Sequence, residues 1–292
     1  MKRIRKTIVL NSTLEMKLKN KYISDKIGRF VSLNLMLEED MNTLHSISGK
    51  EILNIDESIH NLRKSLKSIS AILFLYEFQI GQKQYLQWKS GLKSLSKQFA
   101  QAREDFAYLQ TFKKIEDKLK DIDKSDLLEL RNHFESKYNL IVQENIVRKE
   151  AIQKGNEAIL KVLEEMQNSH INSELKLLKR RHLESLKKTQ KLFKRLSLKS
   201  SSEEFHQFRK YCKRFYLQQL VFNRLGLKKT YKQNKKLDQL TEYLGKEHDL
   251  HLFNQYLSVH FADLLPLLRL HFMLKIRKLK KNTLMLYPKI NY

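Results

Sequence analysis

The chain has 292 residues, with 57 Lys+Arg against 32 Asp+Glu, a formal net charge of +25 at neutral pH. Hydrophobic residues at 41% and aromatics at 10% exclude a low-complexity disordered chain, and no apolar run approaches the ~18 residues of a membrane span. Seven glycines and two prolines are too few to punctuate a sheet fold, and the lone Cys212 excludes a disulfide framework and any multi-cysteine metal site.

The predicted elements are therefore helices, and the fold class is all-α. Residues 1–22 form a basic N-terminal arm without a helical stripe. A first helix is expected over 26–44, closed by Ser48-Gly49. A second starts near Asp56 and runs to about Gln79, before Gly81. A third spans 83–117 and a fourth 125–166, the latter broken once near its middle. Asn168-Ser169 marks a turn. A basic helix follows over 173–198. Ser200-Ser201-Ser202 supplies a loop and an N-cap for a helix over 203–225, which ends at Gly226. Further helices cover 234–260 and, after Pro266, the basic C-terminal stretch. The order of long helix, loop and motif helix occurs twice. This divides a domain of 23–292 into halves of about 23–167 and 168–292.

Two segments carry one pattern. The first opens at His60 and continues with Arg63, Lys64 and Lys67; the second opens at His206 and continues with Arg209, Lys210 and Lys213. At 100° per residue these offsets (0, +3, +4, +7) share one helix stripe. Apolar side chains fill the opposite face in both: Ile59, Leu62, Leu66 and Ile69, then Phe205, Phe208, Cys212 and Phe215. Composition alone would produce His-x-x-basic-basic-x-x-basic about 0.08 times in such a chain, so two copies in the same apolar frame point to duplication. A row of cations on one helix face repels itself and becomes favourable when a polyanion lies along it. An imidazole donates from both nitrogens only when protonated, so His60 and His206 are expected to contribute more at about pH 6 than at about pH 8.

These residues resemble the CHAD family, the conserved histidine α-helical domain. Its signature is a helix opening His-x-x-Arg with basic residues at +7, +8 and +10, once per half. A second signature, Leu-Gly, then two further residues, then Arg, Asn or His and Asp, is matched by Leu244-Gly245-Lys246-Glu247-His248-Asp249 and more loosely by Phe99-Ala100-Gln101-Ala102-Arg103-Glu104-Asp105. The resemblance covers about residues 26–285. It implies two pseudo-symmetric four-helix bundles with a basic groove or pore between them, and binding of inorganic polyphosphate. Carried over by position, the surface would be lined by His60, Arg63, Lys67, His206, Arg209, Lys213 and Arg214; Lys64 and Lys210 join by helical geometry. Ser68 and Ser70 replace the basic residues at +8 and +10 of the first half, and Tyr216 the one at +10 of the second. Lys187, Lys191, Lys194 and Arg195, and Arg277, Lys278, Lys280 and Lys281, are secondary candidates whose plain alternative is a solvated face.

Catalytic patterns are missing from the sequence. It holds no Gly-rich phosphate loop, no His-Glu-x-x-His and no alternating Glu-x-Glu-x-Lys. Cys212 falls at an apolar offset, and His248 and His251 lack an acidic cluster that would complete a metal site. No cofactor is expected. The expectation is a non-catalytic polyphosphate-binding protein in the reducing cytoplasm, associated with polyphosphate granules. Nucleic-acid (RNA) binding is the alternative, since a basic groove holds any phosphate chain; a polyphosphate hydrolase or kinase is the third reading. The motif aromatics lie on the buried side, which favours a ligand without bases.

Overall fold

A computed structural model of the chain describes residues 30–48, 55–116, 124–143, 145–226, 231–262 and 266–290. The N-terminal arm, 1–22, lies outside them. A short strand β1 (Phe30–Ser32) leads into α1 (Leu33–Ser48). Then come α2 (Ile55–Leu75), the single-turn α3 (Glu77–Ile80), α4 (Gln82–Gln98), α5 (Ala100–Glu116), α6 (Lys124–Gln143) and α7 (Asn145–Asn168). Strand β2 (Asn172–Glu174) precedes α8 (Leu175–Phe193), α9 (Ser202–Arg224), α10 (Tyr231–His260) and α11 (Pro266–Leu286), and a 3-10 turn (Tyr287–Lys289) follows. The all-α expectation holds.

Several boundaries depart from the sequence reading, among them the helix expected from Asp56 to Gln79, which is split at Tyr76 into α2 and α3. Residues 30–32, placed in the first helix, are extended and pair antiparallel with β2, Val31 opposite Ser173. Leu33 N donates to Ile171 O at 2.9 Å just beyond the ladder. Three residues are too few for an alternating pattern to show. The predicted helix 83–117 is two helices, α4 and α5, broken at Phe99, whose ring is buried. The ring lies so close to Gly155 of α7 that a Cβ there would stand 2.3 Å from it. Tertiary packing, not local propensity, sets this break. The predicted helix 173–198 ends at Phe193.

Other boundaries follow the punctuation. Gly81 has φ 78°, in the left-handed region, and turns the chain from α3 into α4. Ser201 caps α9: its hydroxyl accepts from Glu204 N at 3.1 Å, and its own N–H donates to the Glu204 carboxylate at 2.8 Å.

The apolar faces converge on three cores. The largest is built on α1, α2, α4 and α7 around Met36, Leu62, Ile69, Tyr76, Trp88 and Leu163. The second joins α8, α9 and α10 through Phe205, Phe208, Phe215 and Leu240. The third, which two matched bundles leave unaccounted for, packs α5 and α6 against α10 and α11 through Phe112, Phe134, Phe253 and Phe272.

The motif helices α2 and α9 pack directly on each other. Gln218 of α9, fully buried, donates to the Ala71 carbonyl of α2 at 3.0 Å. Arg181 of α8 donates to the Phe74 carbonyl near the end of α2 at 3.3 Å, stacks over the Phe74 and Phe78 rings and pairs with Glu77 and Glu184. A cation there meets carbonyls that the helix itself leaves without partners. Arg224, at the end of α9, donates to Met36 O at 2.9 Å and pairs with Glu39 of α1. These contacts fix how α9 sits against α1 and α2, and so what their cationic rows share.

Candidate functional site

Both motif helices bury the face that their periodicity assigned to the core. Ile59, Leu62, Leu66 and Ile69 of α2 and Phe205, Phe208, Cys212 and Phe215 of α9 are all buried. With these faces docked, the opposite rows converge on one cleft of about 470 Å³. His60, Arg63, Lys64 and Lys67 line it from α2, and Arg209 and Lys213 from α9. Asp238, His248 and Asp249 line it from α10. Ala107, Tyr108, Tyr216, Leu217, Leu220 and Leu252 complete the wall. The lining thus holds five Lys and Arg side chains against two carboxylates.

Three of the expected residues fall outside this lining: His206, Lys210 and Arg214. The reason is rotational. On α9 the cleft is walled by Arg209, Lys213, Leu217 and Leu220, a stripe centred off the His206 position. Offset +8 stands about 100° further round the helix than +7. Arg214 therefore leaves the cleft and stacks over Phe74 and Tyr211, 4.6 and 5.2 Å from the ring centres. Lys210 is exposed beside it, and His206 is half-buried against His248, ring centroids 4.0 Å apart.

The cations are held in different ways. Arg63 donates to the Ser96 carbonyl in the last turn of α4 at 3.0 Å, so the motif arginine is also a tie to a helix C-terminus. Burial lowers the Arg209 pKa, and Asp249 and Glu247 counter it. Burial likewise lowers Lys213, against Asp238, while Arg209 and Lys64 lower it further. Lys64 and Lys213 come from different motif copies, so the two rows sense each other across the cleft. Burial and the Lys210 and Arg209 charges push His206 down to about 4, with Glu203 opposing. Burial and the neighbouring cations thus disfavour, in the free protein, the protonated donor expected of His206.

The second signature has a packing reason. A Cβ at Gly245 would stand 3.6 Å from Arg209 Nη2, so the glycine lies against the motif arginine and anything longer than alanine would displace it. His248 and Asp249, next in that signature, reach the cleft. Glu247 does not. It is buried, accepts from the Ser202 hydroxyl at 2.8 Å and lies 3.8 Å from Lys280 Nζ. The side chains of Arg103, Glu104 and Asp105, in the looser first copy, lie outside the described residues.

Lys280 is a correction among the secondary candidates. It is buried and donates to Ser200 O at 2.8 Å, bracing the loop before α9. Arg277, Lys278 and Lys281 are exposed, as are Lys187, Lys191, Lys194 and Arg195. None of these lines the cleft.

The sequence reading missed Asp238, Tyr108 and the apolar wall. Asp238, Gly245, Asp249 and Leu252 stand at i, i+7, i+11 and i+14 on one face of α10. Extending the Leu244-Gly245 signature along its own helix face would have found Asp238. Tyr108 arrives from α5 by tertiary packing and has no sequence signal of its own.

Cys212 is fully buried, and burial raises its thiol pKa well above the usual range. Among the described residues no group of three or more His, Cys, Asp and Glu is placed to hold a metal ion. No helix among them is long and apolar enough to cross a membrane. A family model for the CHAD domain matches residues 44–258, which include both His-x-x-Arg helices and the Leu244-Gly245 signature. No curated protein and no solved structure matches the chain.

Proposed function

The chain belongs to the CHAD domain family, and on that premise we propose that it binds inorganic polyphosphate, without catalysis, in the cleft between α2 and α9. The observation that carries this reading is the convergence of Arg63, Lys64 and Lys67 with Arg209 and Lys213 on one wall system. Cations from two copies of one motif, gathered within a cleft and partly withdrawn from water, hold an anion better than the same charges spread over a surface. Asp249 and Asp238 favour the charged forms of the half-buried Arg209 and Lys213 without neutralising the excess.

The cleft aromatics support a ligand without bases. Tyr216 is buried and hydrogen-bonded to Asp238. Tyr108 packs on Tyr256 and Phe253, with centroids 4.8 and 5.9 Å away. Neither ring stands free as a stacking platform. The absence of catalysis is inferred from the roles of the reactive groups: Cys212 is core, and Glu247 is committed to Ser202 and Lys280. A protein with this function would gather in the cytoplasm where polyphosphate does, at granules.

Competition between long-chain polyphosphate and single-stranded RNA of equal charge, at about 150 mM salt, tests the reading. Polyphosphate is expected to displace RNA at lower charge concentration, with loss of preference in Arg209→Ala and Lys213→Ala. RNA competing equally, charge for charge, would transfer the site to nucleic acid. Metal-dependent release of phosphate at an enzymatic rate, abolished by substitutions in the cleft, would replace binding with hydrolysis.

A further inference from the structure

Helix α11 turns one face to solvent, and that face is ordered along its axis. Leu270, Met273 and Leu274 are 58%, 60% and 59% exposed. Arg277, Lys278 and Lys281, further along, are exposed as well. The spacing puts all six within an arc of about 140°, opposite the buried Leu268, Phe272 and Thr283. Helix α11 contains no Asp or Glu, and it begins after the residues that match the family model end. The centres of the apolar and basic triplets are about 10 Å apart at 1.5 Å per residue. Within this arc the apolar triplet precedes the basic one along the helix; Met285, 53% exposed, follows the basic triplet on the same face, and the exposed Arg269 flanks the apolar one. Val259, 77% exposed, adds apolar surface where α10 ends, at the same end of the helix pair.

Three occupants could cover such a face. A second copy would bring a like-charged face. The chain's own residues 1–29 are themselves rich in Lys and Arg. A bilayer with anionic lipid fits the order of the face. Side chains at the tip of a helix pair enter the headgroup–acyl boundary, which accepts apolar groups to a depth of roughly 5–10 Å, and the basic side chains about 10 Å higher meet the lipid phosphates. A net charge of +25 draws the whole molecule to the same surface.

We propose that this face of α11 docks on anionic membrane surfaces, Leu270, Met273 and Leu274 entering the interface and Arg277, Lys278 and Lys281 holding lipid phosphates. The binding is peripheral and uses a surface separate from the cleft.

Co-sedimentation of the full chain with vesicles tests this. The parent protein should pellet with mixed phosphatidylcholine–phosphatidylglycerol vesicles and stay in solution with phosphatidylcholine alone. The triple variant Leu270→Ser, Met273→Ser, Leu274→Ser, folded by circular dichroism, should lose most of that binding with its charge unchanged. In Leu274→Trp, the emission in excess of that of the parent's buried Trp88 should shift to the blue on the mixed vesicles. Charge reversal at Arg277, Lys278 and Lys281 should abolish vesicle binding and leave polyphosphate affinity within about twofold. Three outcomes would overturn the proposal: undiminished pelleting of the serine variant, an unshifted tryptophan, or a loss of polyphosphate binding on charge reversal as large as that of the cleft variants. The last would make α11 a polyanion site.

Discussion

The imidazole rings of His206 and His248 are stacked with centroids 4.0 Å apart and planes 23° apart. Burial, with His206, Arg209, His251 and Lys210 around it, pushes His248 down to about 3, and His206 falls to about 4. Both are neutral in the folded protein near pH 6. The unfolded chain takes up these protons first as pH falls through the ordinary value of 6.5, so stability is lost between that value and the folded pKa values. The melting temperature should therefore drop from about pH 7 to about pH 4.5, and His206→Gln or His248→Gln should reduce the drop. An unchanged drop in both variants would assign the acid sensitivity elsewhere.

Asp40 has the opposite sign. Its carboxyl is buried, accepts from the Ser68 hydroxyl at 2.7 Å and is raised to about 6, chiefly by burial. Its contribution is present below the ordinary carboxylate pKa and is lost as pH rises through about 6. Asp40→Asn, which keeps the acceptor, should raise the melting temperature more at about pH 8 than at about pH 4.5. Melts of parent and variant at both values decide it. Ser68 is the serine in place of a basic residue at +8 of the first motif; here it serves this carboxylate.

If polyphosphate occupies the cleft, its cations and those outside should differ in kind. Lys64→Ala, Lys67→Ala, Arg209→Ala and Lys213→Ala should weaken binding and make the log–log salt dependence shallower by roughly 0.7 for each phosphate that is no longer neutralised. Lys191→Ala and Arg195→Ala should change the slope little. Arg63→Ala should also cost about 0.5–1.5 kcal/mol of stability, because it removes the tie to the Ser96 carbonyl. Titrations at several salt concentrations, with melts of the same proteins, check this.

Gly245 offers a graded test. A methyl group at that position makes ordinary contact with Arg209. Gly245→Ala should bind polyphosphate normally and, by helix propensity, gain up to about 1 kcal/mol. Gly245→Leu should displace Arg209 and lower affinity to that of Arg209→Ala. Normal binding by Gly245→Leu would show that Arg209 does not touch the ligand. The alanine at position 100 of the first copy fits the same tolerance.

Core substitutions should separate folding from binding. Phe208→Ala should cost about 3–5 kcal/mol and Leu66→Ala about 2–5 kcal/mol, since both are fully buried. Gly155→Ala should be destabilising by about 1–3 kcal/mol through its collision with the Phe99 ring, against the direction helix propensity alone predicts. Chemical denaturation of the three variants measures these directly.

What was legible in the sequence was periodic. The apolar offsets of α2 and α9 fixed which face is buried, and so left Arg63, Lys67, Arg209 and Lys213 on the opposite face, where the cleft forms. Which cations share it depends on the rotation of α9, set by long-range contacts such as Gln218 with Ala71 and Arg214 on Phe74. No local pattern encodes those. The same holds for Tyr108, delivered by a helix that packs in the third core, and for the break at Phe99, which answers to a glycine on another helix. Lys280 reads as one more solvated lysine until Ser200 and Glu247 are seen around it.

The pairing of β1 with β2 has a further consequence. Each strand is three residues long, leads directly into a long helix and buries its central residue, and the two run antiparallel about Val31 and Ser173. Two like segments meeting antiparallel is how a two-chain assembly closes on its own twofold axis. Here one chain supplies both, and Asn34 reaches back to the Gln167 carbonyl at 3.3 Å beside the link between them. Association that would depend on protein concentration in separate chains becomes intramolecular, governed by the effective concentration that the link sets. The cleft between α2 and α9 is therefore assembled at any dilution.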